Sequence, residues 1–155
     1  MGKDLRTELK QKKPFKSLRE EAALSILRTA AEIEHGGESV LKPCGITATQ
    51  YNVLRILRGA EPGGLCRSEI GDRLIRRVPD VTRLLDRLED MHLIARARGE
   101  DDRRYVTTRI TADGLKLLDD LQPTVEGLHE AQLGHMTEAR LKALVELLGA
   151  VRDPG

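Results

Sequence analysis

Apolar residues recur every three or four positions along most of the chain, which is the spacing of amphipathic helices. The pattern predicts helices that begin near Ser17, Thr47, Arg67, Pro79, Thr111 and Thr137. Ser17-x-x-Glu20 and Thr47-x-x-Gln50 match capping boxes, in which two side chains satisfy free backbone amides. We expect the first helix to end at Gly36-Gly37 and Pro123 to kink or restart the long helix.

The period changes from helical spacing to strict alternation near the middle of the chain. Val106, Thr108 and Ile110 alternate with more polar neighbours, as in a half-buried strand. The segments Ile94–Arg98 and Tyr105–Ile110 therefore predict a two-stranded hairpin whose polar tip contains arginines. Because an isolated hairpin is only marginally stable in water, it must rest on the preceding helices.

Two predicted helices stand directly before this hairpin. The first covers Arg67–Ile75, a turn contains Arg76 and Arg77, and Pro79 is suited to the first position of the second, Pro79–His92. Two helices joined by a tight turn and followed by a hairpin predict a winged helix–turn–helix over residues 47–111, within a mainly α (α+β) fold. Such an arrangement indicates DNA binding.

Charge supports that interpretation, although the net charge is only +1. Residues 1–16, expected to form a mobile basic arm, carry six Lys or Arg against two acids. Residues 67–111 carry eleven Arg and no Lys against nine acids, whereas residues 112–155 carry four basic residues against eight acids. Arginine favours planar contacts with phosphate or guanine. Each arginine could instead pair with a neighbouring acid on an exposed face.

The helices outside residues 47–111 are strongly apolar. We expect residues 17–46 and 112–152 to form a helical dimerisation region, because association of two copies buries further Leu and Ile surface. A monomeric helical bundle is the alternative.

Other classes of function find little support in the sequence. No segment is apolar over the length needed to span a bilayer, and no secretory signal is present, so we expect a cytoplasmic protein. Two cysteines and scattered histidines predict neither a disulfide framework nor a metal site. No catalytic motif or phosphate-binding loop is found, so we expect neither an enzyme nor a bound cofactor.

Several motifs together resemble the MarR family of winged helix–turn–helix transcriptional regulators. They are the segments Thr47–Leu54 and Val81–Glu89, the wing-tip pattern Asp102-x-Arg104, and the helix start Ile110-Thr111-x-x-Gly114. The resemblance implies a two-fold dimer on a pseudo-palindromic duplex, with each recognition helix in a major groove and each wing in the adjacent minor groove. Arg104 would then be the minor-groove residue, oriented by Asp102, while Arg103 would contact phosphate or share the groove.

The predicted recognition helix supplies the candidate base contacts, since outward residues near its start reach base edges. Arg83 can pair with guanine, Thr82 with phosphate or a thymine methyl, and Asp80 with a cytosine amino group, and Pro79 lies beside them. The expected phosphate contacts are Arg73, Arg76, Arg77 and Arg87. Asp80, Asp86 and Asp90 compete for Arg83 and Arg87 as ion-pair partners.

The resemblance also implies repression relieved by a small aromatic or phenolic effector, bound between the dimer helices and the DNA-binding domain. His35, Tyr51 and Arg55 are the candidate effector contacts. Two alternatives remain open. One is a protein-interaction module that does not bind DNA; the other is a redox-sensing regulator, in which Cys66 at a helix start is a better candidate than Cys44.

Overall fold

A computed structural model describes residues 2–155. The helices are α1 (Leu5–Glu8), α2 (Leu18–Leu41), α3 (Ala48–Gly59), α4 (Arg67–Arg73), α5 (Val81–Asp90), α6 (Ala112–Leu133) and α7 (Glu138–Arg152), and the strands are β1 (Ile94–Arg98) and β2 (Val106–Ile110). A single 3₁₀ turn, Lys42–Cys44, joins α2 to α3. The architecture is mainly helical with a two-stranded wing, as expected.

The core lies where α3, α4, α5, the wing and α6 meet. Its fully buried side chains are aliphatic apart from Thr108, and they include Leu54, Leu57, Ile70, Leu85, Leu88, Ile94 and Leu118. The helix–turn–helix and the wing therefore share one core with the start of the long C-terminal helix. Because they pack on this common core, the helix–turn–helix and the wing are held in a fixed relative position.

The wing follows the predicted strand pattern closely. β1 and β2 pair antiparallel from Ile94 with Ile110 to Arg98 with Val106. Leu65 forms an isolated antiparallel β-bridge with Thr108 of β2. The Leu65 N–H donates to the Thr108 carbonyl at 3.0 Å, and the Leu65 carbonyl accepts the Thr108 N–H at 2.7 Å. The hairpin therefore rests on the segment before α4 as well as on the helices.

The first long helix does not end at Gly36-Gly37. α2 continues to Leu41, because Gly36 faces α6 rather than a helix terminus. A Cβ at Gly36 would lie 2.5 Å from Gln132 Nε2, and that same amide donates to the Ile33 carbonyl at 3.3 Å. The missing side chain thus permits close packing of α2 on α6.

The recognition helix begins two residues later than predicted. Asp80 is its N-cap, with the carboxylate accepting the Arg83 N–H at 2.9 Å, so Pro79 precedes the helix. Aspartate is strongly preferred at the N-cap, and here this preference outweighs that of Pro79 for the first helical position, so α5 begins after Asp80. The helix before the turn is also shorter than predicted, since Asn52 Oδ1 accepts the Ile75 N–H at 2.9 Å and leaves Ile75 91% exposed.

The N-terminal segment contains structure that a mobile arm would lack. Asp4 caps α1, and Leu5 is buried. At α2, Ser17 accepts the Glu20 N–H, but the Glu20 carboxylate accepts the N–H of Lys16 instead of completing the predicted box. The capping box predicted at α3 is complete, since both hydrogen bonds between Thr47 and Gln50 are present there.

The terminal helices keep much of their apolar surface exposed. α2 packs on α6, and α6 runs without interruption through Pro123. No residue of α7 is buried, and Val145, Leu147 and Val151 are all largely exposed. None of the helices between residues 2 and 155 is both long and apolar enough to cross a membrane.

Gly114 gives a direct test of how the wing joins α6. A Cβ there would collide with the Leu93 carbonyl oxygen and lie 2.6 Å from Ile110 Cγ1. Because backbone cannot move aside cheaply, Gly114→Ala is expected to lower the free energy of unfolding by about 1–3 kcal/mol. Gly59→Ala is the control, since nothing lies within 4 Å of a Cβ at that helical position. Denaturant unfolding that shows equal stability for the two variants would contradict this packing.

Candidate nucleic-acid interface

The candidate interface is built on the outer face of α5. Leu85 and Leu88 bury the inner face against the core, which turns Arg83 and Arg87 to the surface. Asp80 and Pro79 are exposed just before the helix, but the Asp80 carboxylate is occupied by its bond to the Arg83 N–H. The first turn of α5 thus presents Arg83 from a capped, rigid start.

Arg96 on β1 ties the wing to this helix. Its Nη2 donates to Asp86 Oδ1 at 2.6 Å and to Glu89 Oε1 at 3.0 Å, and its backbone N–H donates to Glu89 Oε2 at 3.1 Å. The hydrogen bonds from Arg96 hold the pKa of Glu89 below its usual range, and the two carboxylates raise the pKa of Arg96. Wing and helix are therefore joined by a charged network whose central side chain is only 23% exposed.

This network changes the charge on the outer face of α5. Asp86 was expected to compete for Arg83 or Arg87, but Arg96 binds it instead. Within residues 2–155, neither Arg83 nor Arg87 has a carboxylate oxygen within 4.0 Å. The ion-pair alternative therefore fails for these two arginines, and their charge faces outward.

The wing tip presents a second outward arginine. Asp102 Oδ1 accepts the Arg104 N–H at 3.0 Å and lies 3.6 Å from Arg104 Nε, while the Arg104 side chain stays 96% exposed. Arg103 is also exposed, and its carbonyl accepts Arg98 Nη1 at 3.0 Å. Asp102 therefore holds the Arg104 backbone by a hydrogen bond and lies near its guanidinium group without burying it.

The arginines of the turn divide into two kinds. Arg76 binds the carboxylate of Glu34 on α2, which differs from the free phosphate-binding side chain that we expected. Arg73 and Arg77 are exposed and form no salt bridge within the described residues. Sequence reasoning missed the Arg76 pair because its partners are 42 residues apart.

A cleft separates the recognition helix from the wing, and we call it the helix–wing cleft. It has a volume of about 510 Å³, and its lining includes Cys66, Arg67, Thr82, Arg104 and Tyr105. Arg67 Nη1 donates to Thr82 Oγ1 at 2.7 Å, so the Thr82 hydroxyl is already engaged. The charge of Glu69 is the main cause that raises the pKa of Tyr105.

Comparisons with known proteins identify this arrangement. The model of the MarR family matches residues 46–106, which span the helix–turn–helix and most of the wing. A MarR transcription factor from Planctomyces limnophilus is 41% identical, with a TM-score of 0.69 over 88% of this chain and 98% of that chain. The chain belongs to the MarR family.

Further MarR proteins agree with this assignment. The multiple antibiotic resistance protein MarR of Salmonella typhimurium is 32% identical over 109 residues, which cover 70% of this chain and 74% of that protein. A mutant MarR from E. coli, solved in complex with operator DNA, has a TM-score of 0.76 at 24% identity and covers 96% of this chain and 99% of that chain. The chain is therefore a DNA-binding transcriptional regulator of the MarR type, and its family is one of regulators rather than enzymes.

The three candidate effector residues of this MarR protein do not share one cleft. Tyr51 and Arg55 line a cleft of about 180 Å³ between α3 and α6, together with Arg58 and His129. His35 lines a separate cleft of about 570 Å³ between α2 and the start of α3. The single chain therefore places His35 apart from Tyr51 and Arg55, and the role of the three residues as effector contacts stays a prediction.

The two cysteines occupy different environments. Cys44 is exposed in the connection between α2 and α3, while Cys66 is half-buried at the N-cap of α4. Cys66 Sγ lies 3.2 Å from Ser68 Oγ. Among the residues that the structure describes, no group of three His, Cys, Asp or Glu side chains could hold a metal ion.

The Arg96 network predicts a specific pH dependence of stability. Because the folded-state pKa of Glu89 is lowered, its contribution is present above the unfolded pKa of about 4.3 and is lost as pH falls through the folded value. Arg96→Gln should be less stable than the wild type near neutral pH, and the difference should shrink at acidic pH. Denaturant unfolding across pH measures the difference, and carbon NMR of the Glu89 carboxyl group measures its titration.

The matched variant is Glu89→Gln, which removes the titrating group and leaves Arg96 in place. A stability difference between wild type and Arg96→Gln that stays constant through acidic pH would contradict the assigned role of Glu89.

Proposed function

We propose that this MarR-family protein is a dimeric, sequence-specific repressor that binds double-stranded DNA in the cytoplasm. The observation that carries the proposal is the pair of arginines on α5, Arg83 and Arg87, which no carboxylate of residues 2–155 neutralises, beside a wing whose Arg104 is almost fully exposed. Guanidinium groups that face outward from two neighbouring elements complement the negative charge of a duplex surface.

The recognition helix occupies a major groove in this proposal. Arg83 lies near the start of α5 and can donate two parallel hydrogen bonds to a guanine edge. Pro79 and Asp80 lie at the same end, where Asp80 also keeps the helix capped. Four further exposed arginines, Arg73, Arg77, Arg87 and Arg103, contact phosphates.

The wing occupies the adjacent minor groove. Arg104 enters that groove, where a narrow width concentrates the negative potential of the phosphates. The Asp102 carboxylate, 3.6 Å from Arg104 Nε, restricts the directions that this long side chain samples. Less conformational entropy is then lost when DNA binds.

A second copy of the chain covers the apolar surface of the terminal helices. Exposed Leu, Ile and Val side chains on α2 and α7 include Leu18, Leu27, Ile33, Val145, Leu147 and Val151. Burial of this surface between two copies stabilises a dimer at about 25 cal/mol per Å². Two-fold symmetry of the dimer implies a pseudo-palindromic operator with half-sites about one helical turn apart.

Regulation by a small aromatic or phenolic effector completes the proposal. The α3–α6 cleft offers the Tyr51 ring for stacking and Arg55 and Arg58 for a carboxylate or phenolate. α3 and α6 both pack in the core that supports the helix–turn–helix and the wing. A ligand bound between α3 and α6 can therefore shift the position of these DNA-binding elements.

Removal of the wing arginine tests the DNA-binding mode. Arg104→Ala should weaken binding by about 1–3 kcal/mol for each subunit, because one groove contact is lost per half-site. The duplex is selected from fragments of the organism's own genome, and affinity is measured by fluorescence anisotropy. Lys142→Ala, which removes an equal charge from an exposed polar position of α7, should bind as the wild type does. Equal affinities for the two variants would overturn the role of the wing.

A charge placed on α7 tests the dimer. Leu147 is 66% exposed in the single chain, and Leu147→Glu would bury a carboxylate in the proposed interface. Sedimentation velocity should show a dimer for the wild type and a large shift toward monomer for this variant. Lys142→Glu, at an exposed polar position of the same helix, should remain dimeric. A monomeric wild type at micromolar concentration would contradict the proposed assembly.

A further inference from the structure

Arg67 belongs to α4, but its guanidinium group lies against the recognition helix. Nη1 donates to Thr82 Oγ1 at 2.7 Å, across 15 residues of sequence. Within residues 2–155, no carboxylate oxygen lies within 4.0 Å of Arg67, and Thr82 is the one side chain to which its guanidinium donates. The positive charge and the remaining N–H groups of Arg67 are therefore available to an acceptor outside the chain.

The bond also fixes what Thr82 presents. Since Oγ1 accepts from Arg67, the hydroxyl group is held in one rotamer and its own proton points away from Arg67. A hydroxyl that accepts from a cation becomes a stronger donor. Arg67 and Thr82 together thus present N–H and O–H donors from two helices to one place.

That place is the helix–wing cleft. Arg67 and Thr82 line it on the helix side, while Arg104 and Tyr105 line it on the wing side. One sugar–phosphate strand separates a major groove from the adjacent minor groove. When α5 lies in the first groove and the wing tip in the second, that strand must cross the space between them.

We propose that Arg67 is a phosphate-binding residue and that it positions Thr82 for the same task, so that the pair holds the DNA strand that crosses the helix–wing cleft. The inference rests on the proposed mode of DNA binding and deepens it. It assigns Thr82 to the backbone instead of to a thymine methyl group. Direct reading of bases near the start of α5 then depends on Arg83.

Salt dependence tests the pair. Arg67→Ala should weaken duplex binding about tenfold per subunit at low salt. It should also reduce the slope of log affinity against log salt by about 0.9 per subunit, since one phosphate contact is lost. Lys142→Ala is the charge-matched control and should leave both quantities unchanged. Thr82→Val keeps the shape but removes the hydroxyl, and its effect should be much smaller in the Arg67→Ala background than in the wild type. Thr82→Ser should retain binding.

The chain carries its own probe of where the strand lies. Cys66 is half-buried in the helix–wing cleft, whereas Cys44 is exposed in the α2–α3 connection. Saturating duplex should protect Cys66, but not Cys44, from alkylation by a maleimide, with the modified residues identified by mass spectrometry. Unchanged alkylation of Cys66 while DNA is bound, or an unchanged salt slope for Arg67→Ala, would overturn the inference and leave DNA binding intact. A folded wild type with no affinity for duplex would instead overturn both.

Discussion

The ion network of Arg96 with Asp86 and Glu89 determines how the wing is arranged relative to the recognition helix. A two-stranded wing is too small to hold its own orientation. Four hydrogen bonds from one half-buried residue fix the wing relative to the recognition helix. Because one guanidinium group holds both carboxylates through several charge-assisted hydrogen bonds, the network is stronger than a single exposed ion pair.

The same network explains how a nearly neutral chain presents a basic surface. Asp86 and Glu89 of α5 are paired on the side that faces the wing, Asp80 is used as a helix cap, and Asp102 serves the wing tip. Arg83 and Arg87 therefore keep their charge on the outer face, with no ion-pair partner among residues 2–155. The net charge of the chain therefore does not indicate its basic surface, whereas the position of each ion pair does.

Local patterns predicted the elements that depend on local physics. The alternation of Val106, Thr108 and Ile110 located the wing, and Thr47 with Gln50 located the start of α3, since both signals involve residues close in sequence. The errors occurred where distant residues meet. Gly36 packs against Gln132, and Arg76 binds Glu34, and no periodicity in the sequence reports such contacts.

The candidate site shows the same division. The outward arginines Arg83, Arg87 and Arg104 were predicted from their place on a helix face and a hairpin tip. Arg67 and Arg96 were missed, because their roles come from partners on other elements, Thr82 and Glu89. The motif Ile110-Thr111-x-x-Gly114 could have indicated the close approach at Gly114, where a side chain would strike the Leu93 carbonyl.

The most direct test of this account is a hydroxyl-radical footprint of the full chain on its selected duplex, compared between wild type and Arg96→Gln. Arg109→Gln is the control, because Arg109 is a wing arginine that pairs with Glu61 rather than with the recognition helix. If Arg96 holds the wing in register with α5, Arg96→Gln loses protection in the minor groove and keeps it where α5 lies. A footprint identical to that of the wild type would show that the wing finds its groove without this network.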